Sequence, residues 1–404
     1  MLYRQWLETV ERHAGRTAVF EGGRRWSFAE IHAAVEEIEL ASGPVIARTG
    51  PGVGFPAAVI AAWRDGQAVI PIEAGAAEPR LTRQPAPEIR LVKYTPGASG
   101  VPRGVFLTGP QLLADLRRIA TAMELGPGRV NLGVISPAHS YGFSNLILPL
   151  VILGMPLSIV PAPFPRVVEA EFRRHPGIVV PAVPPMWRAW LKSGVLTDAG
   201  IGLAVSAGSP LPIELEREVF ASAGLKIHNF YGASECGAIA YDDSSSPRVS
   251  ADVLGRPLPG VDLAIDDDGR IRVASDAVAE AYDTSRPDDH LGGGVYQTRD
   301  LGFLDADGLL RLRGTTGGAI NVAGRKVSPA KVEAALLETG LVTHASVHAV
   351  PSRDPERFEE IAATVVLAAG ANLDSLKSAA VGRLQLWEVP RHWRTRDPIL
   401  NRQV

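Results

Sequence analysis

The stretch Tyr94-Thr95-Pro96-Gly97-Ala98-Ser99-Gly100-Val101-Pro102-Arg103-Gly104-Val105 lies between a short β-like run, Ile89 to Val92, and a helical pattern that begins near Thr108. Its glycines, Gly97, Gly100 and Gly104, and its hydroxyls, Thr95 and Ser99, suit a turn whose backbone N–H groups converge on an anion. Arg103 adds a fixed positive charge beside it. An ordinary surface turn has the same composition. The spacing is that of neither the G-x-x-x-x-G-K-[ST] loop nor the G-x-G-x-x-G fingerprint, so its meaning depends on what surrounds it.

Upstream, residues 3–15 read as an amphipathic helix, and Ala18-Val19-Phe20 before Gly22-Gly23 as a hairpin. Ser27 caps a helix through Ile31, Val35 and Ile38. Val45-Ile46-Ala47, a helix from Ala57 to Trp63, and Ala68 to Ile72 then alternate strand, helix and strand, which predicts α/β layering with a largely parallel sheet. Downstream, Gln111 to Met123 is helical. Strand–helix units follow around residues 132–135, 158–174, 178–191 and 203–223, and Lys226 to Phe230 leads into Tyr231-Gly232-Ala233-Ser234-Glu235. In such sheets ligands sit at the carboxyl ends of the strands. The turns there carry small or polar residues: Ser136 to Gly142, Ser206 to Pro210 and Tyr231 to Glu235.

From residue 250 the texture changes to short alternating strands, Asp262 to Ile265, Arg270 to Val273 and Leu309 to Arg313, with Asp-Gly hairpin signals at 268–269 and 307–308. Gly314-Thr315-Thr316-Gly317-Gly318 is the best linker. Beyond it Ser328-Pro329 opens a helix, and strands near 346–350 and 362–367 with a helix at 373–384 complete a small α+β unit. The expected division is a large α/β domain over 1–313, a hinge at 314–318 and a small domain over 319–404.

Of 404 residues, 46% are hydrophobic and 21% charged, enough for a large core. The net charge of −3 argues against a nucleic-acid binder. The one cysteine, Cys236, fits a reducing compartment, the cytoplasm, and reads as a small buried residue. Met1 to Arg12 lacks a signal-peptide core. Leu146 to Pro163, interrupted by Gly154 and several prolines, reads as buried helix and strand with no membrane span.

Taken together, these segments resemble, in order, the motifs of the adenylate-forming superfamily: acyl- and aryl-CoA synthetases, peptide-synthetase adenylation domains and luciferases. The glycine turn is similar to that family's Y-T-S-G-T-T-G-x-P-K-G, Ser136–Gly142 to P-x-x-H-x-Y-G, and Ser206–Leu211 to S-G-G-A-P-L. Tyr231–Glu235 resembles Y-G-x-T-E, Thr298–Gly302 resembles T-G-D-L-G, and Ala323–Pro329 resembles G-G-x-K-I-x-P. The resemblance implies activation of a carboxylic acid by ATP and Mg²⁺, then transfer of the acyl group to CoA or a carrier-protein phosphopantetheine. Positioning and electrostatic stabilisation would supply the rate. It implies Thr95, Gly97, Ser99 and Gly100 around the phosphates, with Arg103 nearby and Lys326 as a further cation. Ser234 would meet the α-phosphate and Glu235 would hold Mg²⁺. Gly208, Ser209, Tyr231 and Gly232 would frame the adenine, and Asp300 would accept the ribose hydroxyls. His139, Tyr141, Gly142 and Ala233 would border a pocket for an aryl or medium acyl acid. The partners implied are that acid and an acyl-carrier protein or CoA.

The departures from the family pattern cluster at the chemistry. Pro96 and Ala98 replace hydroxyl residues, Arg103 replaces lysine, Arg299 replaces glycine, and Asn321 replaces a lysine of many members. Thr315 and Gly317 stand at the arginine and acid of G-R-x-D. An ungapped match places Val404 on the family's C-terminal lysine, and valine donates nothing to a phosphate. Loss of such a contact typically costs about 10²–10³ in rate. A non-catalytic binding protein, or an enzyme of the thioester half-reaction alone, are therefore the alternatives to full ligation.

Overall fold

The glycine-rich stretch is the tip of a β-hairpin. In the computed structural model the strand Ile89–Thr95 pairs antiparallel with Arg103–Thr108, Tyr94 opposite Gly104 and Thr95 opposite Arg103. The sequence reading passed from turn to helix; the structure inserts this second strand, whose residues are buried throughout. Thr108 ends it and starts the helix Gly109–Ala122 through a capping box with Gln111. The described residues are 1–95, 102–160, 162–197, 200–266, 269–285, 289–315, 320–323, 325–352 and 359–395. The predicted phosphate-loop residues Gly97, Ser99 and Gly100 thus lie outside them, as do 316–318 of the expected hinge and Val404.

The hairpin belongs to a five-stranded sheet, in the order Ala281–Tyr282, Arg103–Thr108, Ile89–Thr95, Val69–Ile72, Val45–Arg48. A second, larger sheet has a parallel centre, in the order Ile227–Ala233, Ile201–Ser206, Ile178–Ala182, Asn131–Gly133, Leu157–Ile159, Thr17–Glu21. On the Ile227–Ala233 side it continues antiparallel through Gly237–Tyr241, Val253–Pro257, Leu310–Thr315 and Val295–Leu304. The expected largely parallel sheet is therefore a mixed one, because the texture change at residue 250 extends the main sheet.

Between the two sheets lies the main apolar cluster, built by the helices Leu2–His13, Phe28–Glu36 and Gly54–Arg64 with Phe143, Leu146 and Leu150. Ser27 caps the second of these helices, as the sequence suggested, and Glu30 returns the bond to complete a capping box. The apolar run after Tyr141 forms π-helical turns, Phe143–Ile147 and Pro149–Leu153, before Gly154 ends it at φ +67°. Residues 320–393 gather a separate core around Val332, Leu336, Val347, Val365 and Leu376. It covers a three-stranded sheet, Val342–Pro351, Glu359–Leu367 and His392–Thr395, whose last strand sequence reading missed. Of the expected hinge, Gly314 and Thr315 are the last residues of the strand Leu310–Thr315.

Candidate active site

The strand Ile227–Ala233 leaves the parallel centre of the sheet and reverses into Gly237–Tyr241, so Ser234, Glu235 and Cys236 form the tip of a hairpin. The tip is compressed. A Cβ on Gly232 would stand 2.6 Å from the Gly237 carbonyl oxygen, and one on Gly237, whose φ is +70°, would stand 2.3 Å from Asp115 Oδ1. Asp115 holds the tip from below. Its Oδ1 accepts from the Ala238 N–H at 2.8 Å, and its Oδ2 accepts from Ser144 Oγ at 2.8 Å. Lys93, 2% exposed, donates to the same Ser144 oxygen at 3.4 Å. Burial pulls the Lys93 ammonium pKa down, with Asp115 and Glu235 opposing. No motif marks Lys93, Ser144 or Asp115. The available signal was a lysine in a buried strand and an acid on the inner face of a helix.

Glu235 is half-buried, and its Oε1 accepts from the Tyr282 hydroxyl at 3.0 Å. Burial raises its pKa; the Tyr282 hydrogen bond and the charges of Arg103 and Arg299 work the other way. Tyr282 is in turn covered by Arg103, whose guanidinium lies 3.7 Å from the ring centroid. Arg103, 6% exposed, makes a two-pronged pair with Asp289, Nη1 to Oδ1 at 2.9 Å, and caps the Thr284 carbonyl. The sequence put this arginine among the phosphates. Here its charge is taken by Asp289, and its reach toward the site runs through Tyr282. Arginine has the planar face that such stacking uses and lysine does not.

Asp300, in the strand Val295–Leu304, meets two hydroxyls. Oδ2 accepts from Tyr231 and Oδ1 from Thr315 Oγ1 at 2.9 Å, while Thr298 Oγ1 accepts from the Asp300 N–H at 3.1 Å. Thr315, which stands at the arginine of the G-R-x-D pattern, thus bonds this carboxylate. Burial and the neighbouring Asp300 push the Tyr231 phenol far above its ordinary pKa, so it stays a donor. Each carboxylate oxygen retains a second acceptor site for a sugar hydroxyl. Gly208, at φ +80°, turns the chain past the end of Ile201–Ser206 and leads to Ser209. Ser206 Oγ there is buried without a protein hydrogen-bond partner, an orphan of the kind a ligand or water satisfies. These groups fit a ribose and a base.

Ser234 Oγ lies 2.5 Å from Ser140 Oγ, which ties the tip to the turn 136–142. Gly142 is packed so closely that a Cβ would fall 1.9 Å from the Ser136 carbonyl oxygen. His139 points outward, its side chain 72% exposed, with Nε2 3.4 Å from Glu73 Oε1. Tyr141 points inward, its hydroxyl donating to the Val205 carbonyl at 3.3 Å and its ring 6.1 Å from that of Phe230. The ring packs against two apolar clusters. Ala233 and Thr95 are each the last residue of a strand. Lys326 pairs with Asn321 in the small hairpin Ile320–Val322 and Arg325–Val327. Cys236 is fully buried, and burial raises its thiol pKa, which makes it inert.

For Mg²⁺, the fit rests on one carboxylate. Among the described residues no three His, Cys, Asp or Glu side chains gather. That suits an ion that keeps water and takes one or two carboxylates plus substrate phosphates.

The family model described as "AMP-binding enzyme" matches residues 67–282, more than half of the chain. The chain belongs to this family. Similar proteins include a long-chain-fatty-acid–CoA ligase of Bacillus subtilis, 27% identical over 337 residues, covering 78% of this chain and 60% of the relative. A sulfoacetate–CoA ligase of Cupriavidus necator is 29% identical over 369 residues, covering 85% of this chain and 70% of the relative. The chain thus spans little more than half the length of the Bacillus ligase. ATP-bound MatB from Rhodopseudomonas palustris has the same fold, with a TM-score of 0.69 at 19% identity and coverage of 98% of this chain and 95% of MatB. The adenylate-forming architecture expected from the motifs is the observed one.

Proposed function

We propose that this protein is an AMP-forming acid–thiol ligase: it joins a carboxylate to the α-phosphate of ATP with release of pyrophosphate, then passes the acyl group to a thiol of CoA with release of AMP. The observation that carries the reading is the convergence of Tyr231, Asp300 and Thr315 with Ser234 and Glu235 at the end of one strand. Family membership and the ligase names of the relatives support it. Asp300 would accept the ribose hydroxyls, with Tyr231 fixing its orientation. Glu235, held by Tyr282, would be the protein ligand of Mg²⁺, which supplies positive charge to the phosphate oxygens. Ser234 and Ser140 would donate to the α-phosphate, and Thr95 would border the β- and γ-phosphates together with Gly97, Ser99 and Gly100. The separate core of residues 320–393 supports the division into domains 1–313 and 319–404, joined at 314–318.

A carrier-protein phosphopantetheine is the alternative thiol. The pairing of Arg103 with Asp289 leaves one cation fewer for the phosphates and favours, as second reading, an enzyme that performs only the thioester step. Calorimetry of ATP with Mg²⁺, followed by AMP release with an acid and CoA, tests the first reading. ATP binding with AMP release supports it. AMP release only from a supplied acyl-adenylate supports the second, and no ATP binding refutes the nucleotide site.

A further inference from the structure

A cavity of about 460 Å³ opens on the other side of the turn 136–142. Its size lies within the ordinary range of small-molecule sites, about 300–1,000 Å³. It sits where the parallel strands of both sheets end: after Val45–Arg48 and Val69–Ile72 in one, and after Thr17–Glu21, Asn131–Gly133 and Leu157–Ile159 in the other. Strand carboxyl ends are where open α/β sheets take ligands. The wall is apolar, with Phe55, Ile135, Leu146, Ile147, Leu157 and Ile159. The charged residues among the described lining are Glu21 and Glu73, and none is basic. Both carboxylates are tied back. Glu21 accepts from the Gly52 N–H at 3.0 Å, and Glu73 accepts from Thr49 Oγ1 at 3.0 Å.

The cavity adjoins the proposed site. Pro137 lines it, and three residues later Ser140 touches Ser234. Three residues span at most about 11 Å, and the tight packing of Gly142 on Ser136 keeps the turn folded. Between the two lies the His139–Glu73 contact. Tyr141 packs on the Phe230 ring, with its hydroxyl on the Val205 carbonyl.

We infer that this cavity receives the tail of the carboxylic acid, and that the tail is an uncharged hydrocarbon chain. The inference rests on the ligase reading above. A chain leaving Ser234 crosses the turn beside His139 and enters the cavity past Glu73. Apolar walls reward each methylene, whereas an ω-carboxylate or sulfonate would meet two carboxylates and no cation.

The test is pyrophosphate–ATP exchange with straight-chain acids from acetate to dodecanoate and with the matching α,ω-dicarboxylates, on the wild type, Ile147→Phe and Glu73→Lys. Burial of a methylene contributes about 0.8 kcal/mol, so KM falls about fourfold per carbon once the chain enters the cavity, then levels off. Ile147→Phe moves the plateau to shorter chains with the KM for ATP unchanged. Glu73→Lys, at a half-exposed rim position, narrows the gap between mono- and dicarboxylates and serves if Ile147→Phe does not fold. A KM independent of chain length, or a preference for dicarboxylates in the wild type, overturns the inference while leaving the ligase reading intact. If no acid supports exchange, calorimetry of decanoate with the wild type and Ile147→Phe decides. Weaker binding to the variant upholds the cavity while adenylation fails; absent or equal binding overturns the cavity too.

Discussion

Replacing Tyr282 by Phe removes one oxygen atom and exposes how Arg103 acts. The hydroxyl stabilises the Glu235 carboxylate through a 3.0 Å hydrogen bond. Hydrogen bonds to charged groups are worth about 1.5–3 kcal/mol, and because Glu235 is half-buried the lower end applies. Loss of the hydrogen bond raises the Glu235 pKa further. The carboxylate must be ionised to take Mg²⁺, so the acid limb of the activity profile moves to higher pH. Below the limb, exchange falls about tenfold. Arg103→Lys removes the guanidinium face lying 3.7 Å over the same ring, an interaction of about 0.5–2 kcal/mol. The assay is pyrophosphate–ATP exchange against pH at several Mg²⁺ concentrations for wild type, both single variants and the double variant. If Arg103 works through Tyr282, Arg103→Lys costs severalfold in the wild type and at most about twofold in the Tyr282→Phe background. Log rates that add to within about 0.5 kcal/mol would refute the relay and return Arg103 to the phosphates.

Asp300→Asn weakens its hydroxyl contacts and should raise the KM for ATP about 10–100-fold; a change under twofold in exchange kinetics contradicts its ribose role. Gly237→Ala forces a Cβ to within 2.3 Å of Asp115 Oδ1 at φ +70° and should cost about 1–3 kcal/mol in denaturant unfolding. Gly22→Ala, at φ +58° with open space around it, should cost less. His228, stacked on Tyr241, has its pKa lowered by burial, so the unfolded chain binds its proton first. Stability is full above the unfolded pKa of about 6.5 and declines as pH falls through it toward the folded pKa. His228→Gln should flatten that decline in thermal melts at pH 7 and 5.5.

Local signals located most elements because their causes are local. Ser27, Ser328 with Pro329, and Asp307-Gly308 are caps and turns whose chemistry acts within four residues. The strand Arg103–Thr108 was missed because Gly104-Val105-Phe106-Leu107 is uniformly buried and lacks alternation. His392–Thr395 was missed because its strand is short and mostly exposed. At the site, motif order singled out Tyr231, Ser234, Glu235 and Asp300; the fold brings Asp300, mid-way along Val295–Leu304, to the Tyr231 hydroxyl, beside the turn that carries Ser234 and Glu235. Partnerships over long sequence separations were not legible. Nothing near residue 103 announces Asp289, 186 positions away, and nothing near Ala238 announces Asp115, 123 positions away. Such pairings are set by the crossing of sheets, which also decides that Tyr141 packs on Phe230 while His139 faces out.

Isotope exchange between pyrophosphate and ATP, with Mg²⁺ and medium-chain acids, tests the central claim most directly. Acid-dependent exchange that Asp300→Asn and Glu235→Gln both suppress is the result predicted for an adenylating enzyme. Absence of exchange with every acid, in a protein that binds ATP, would contradict it.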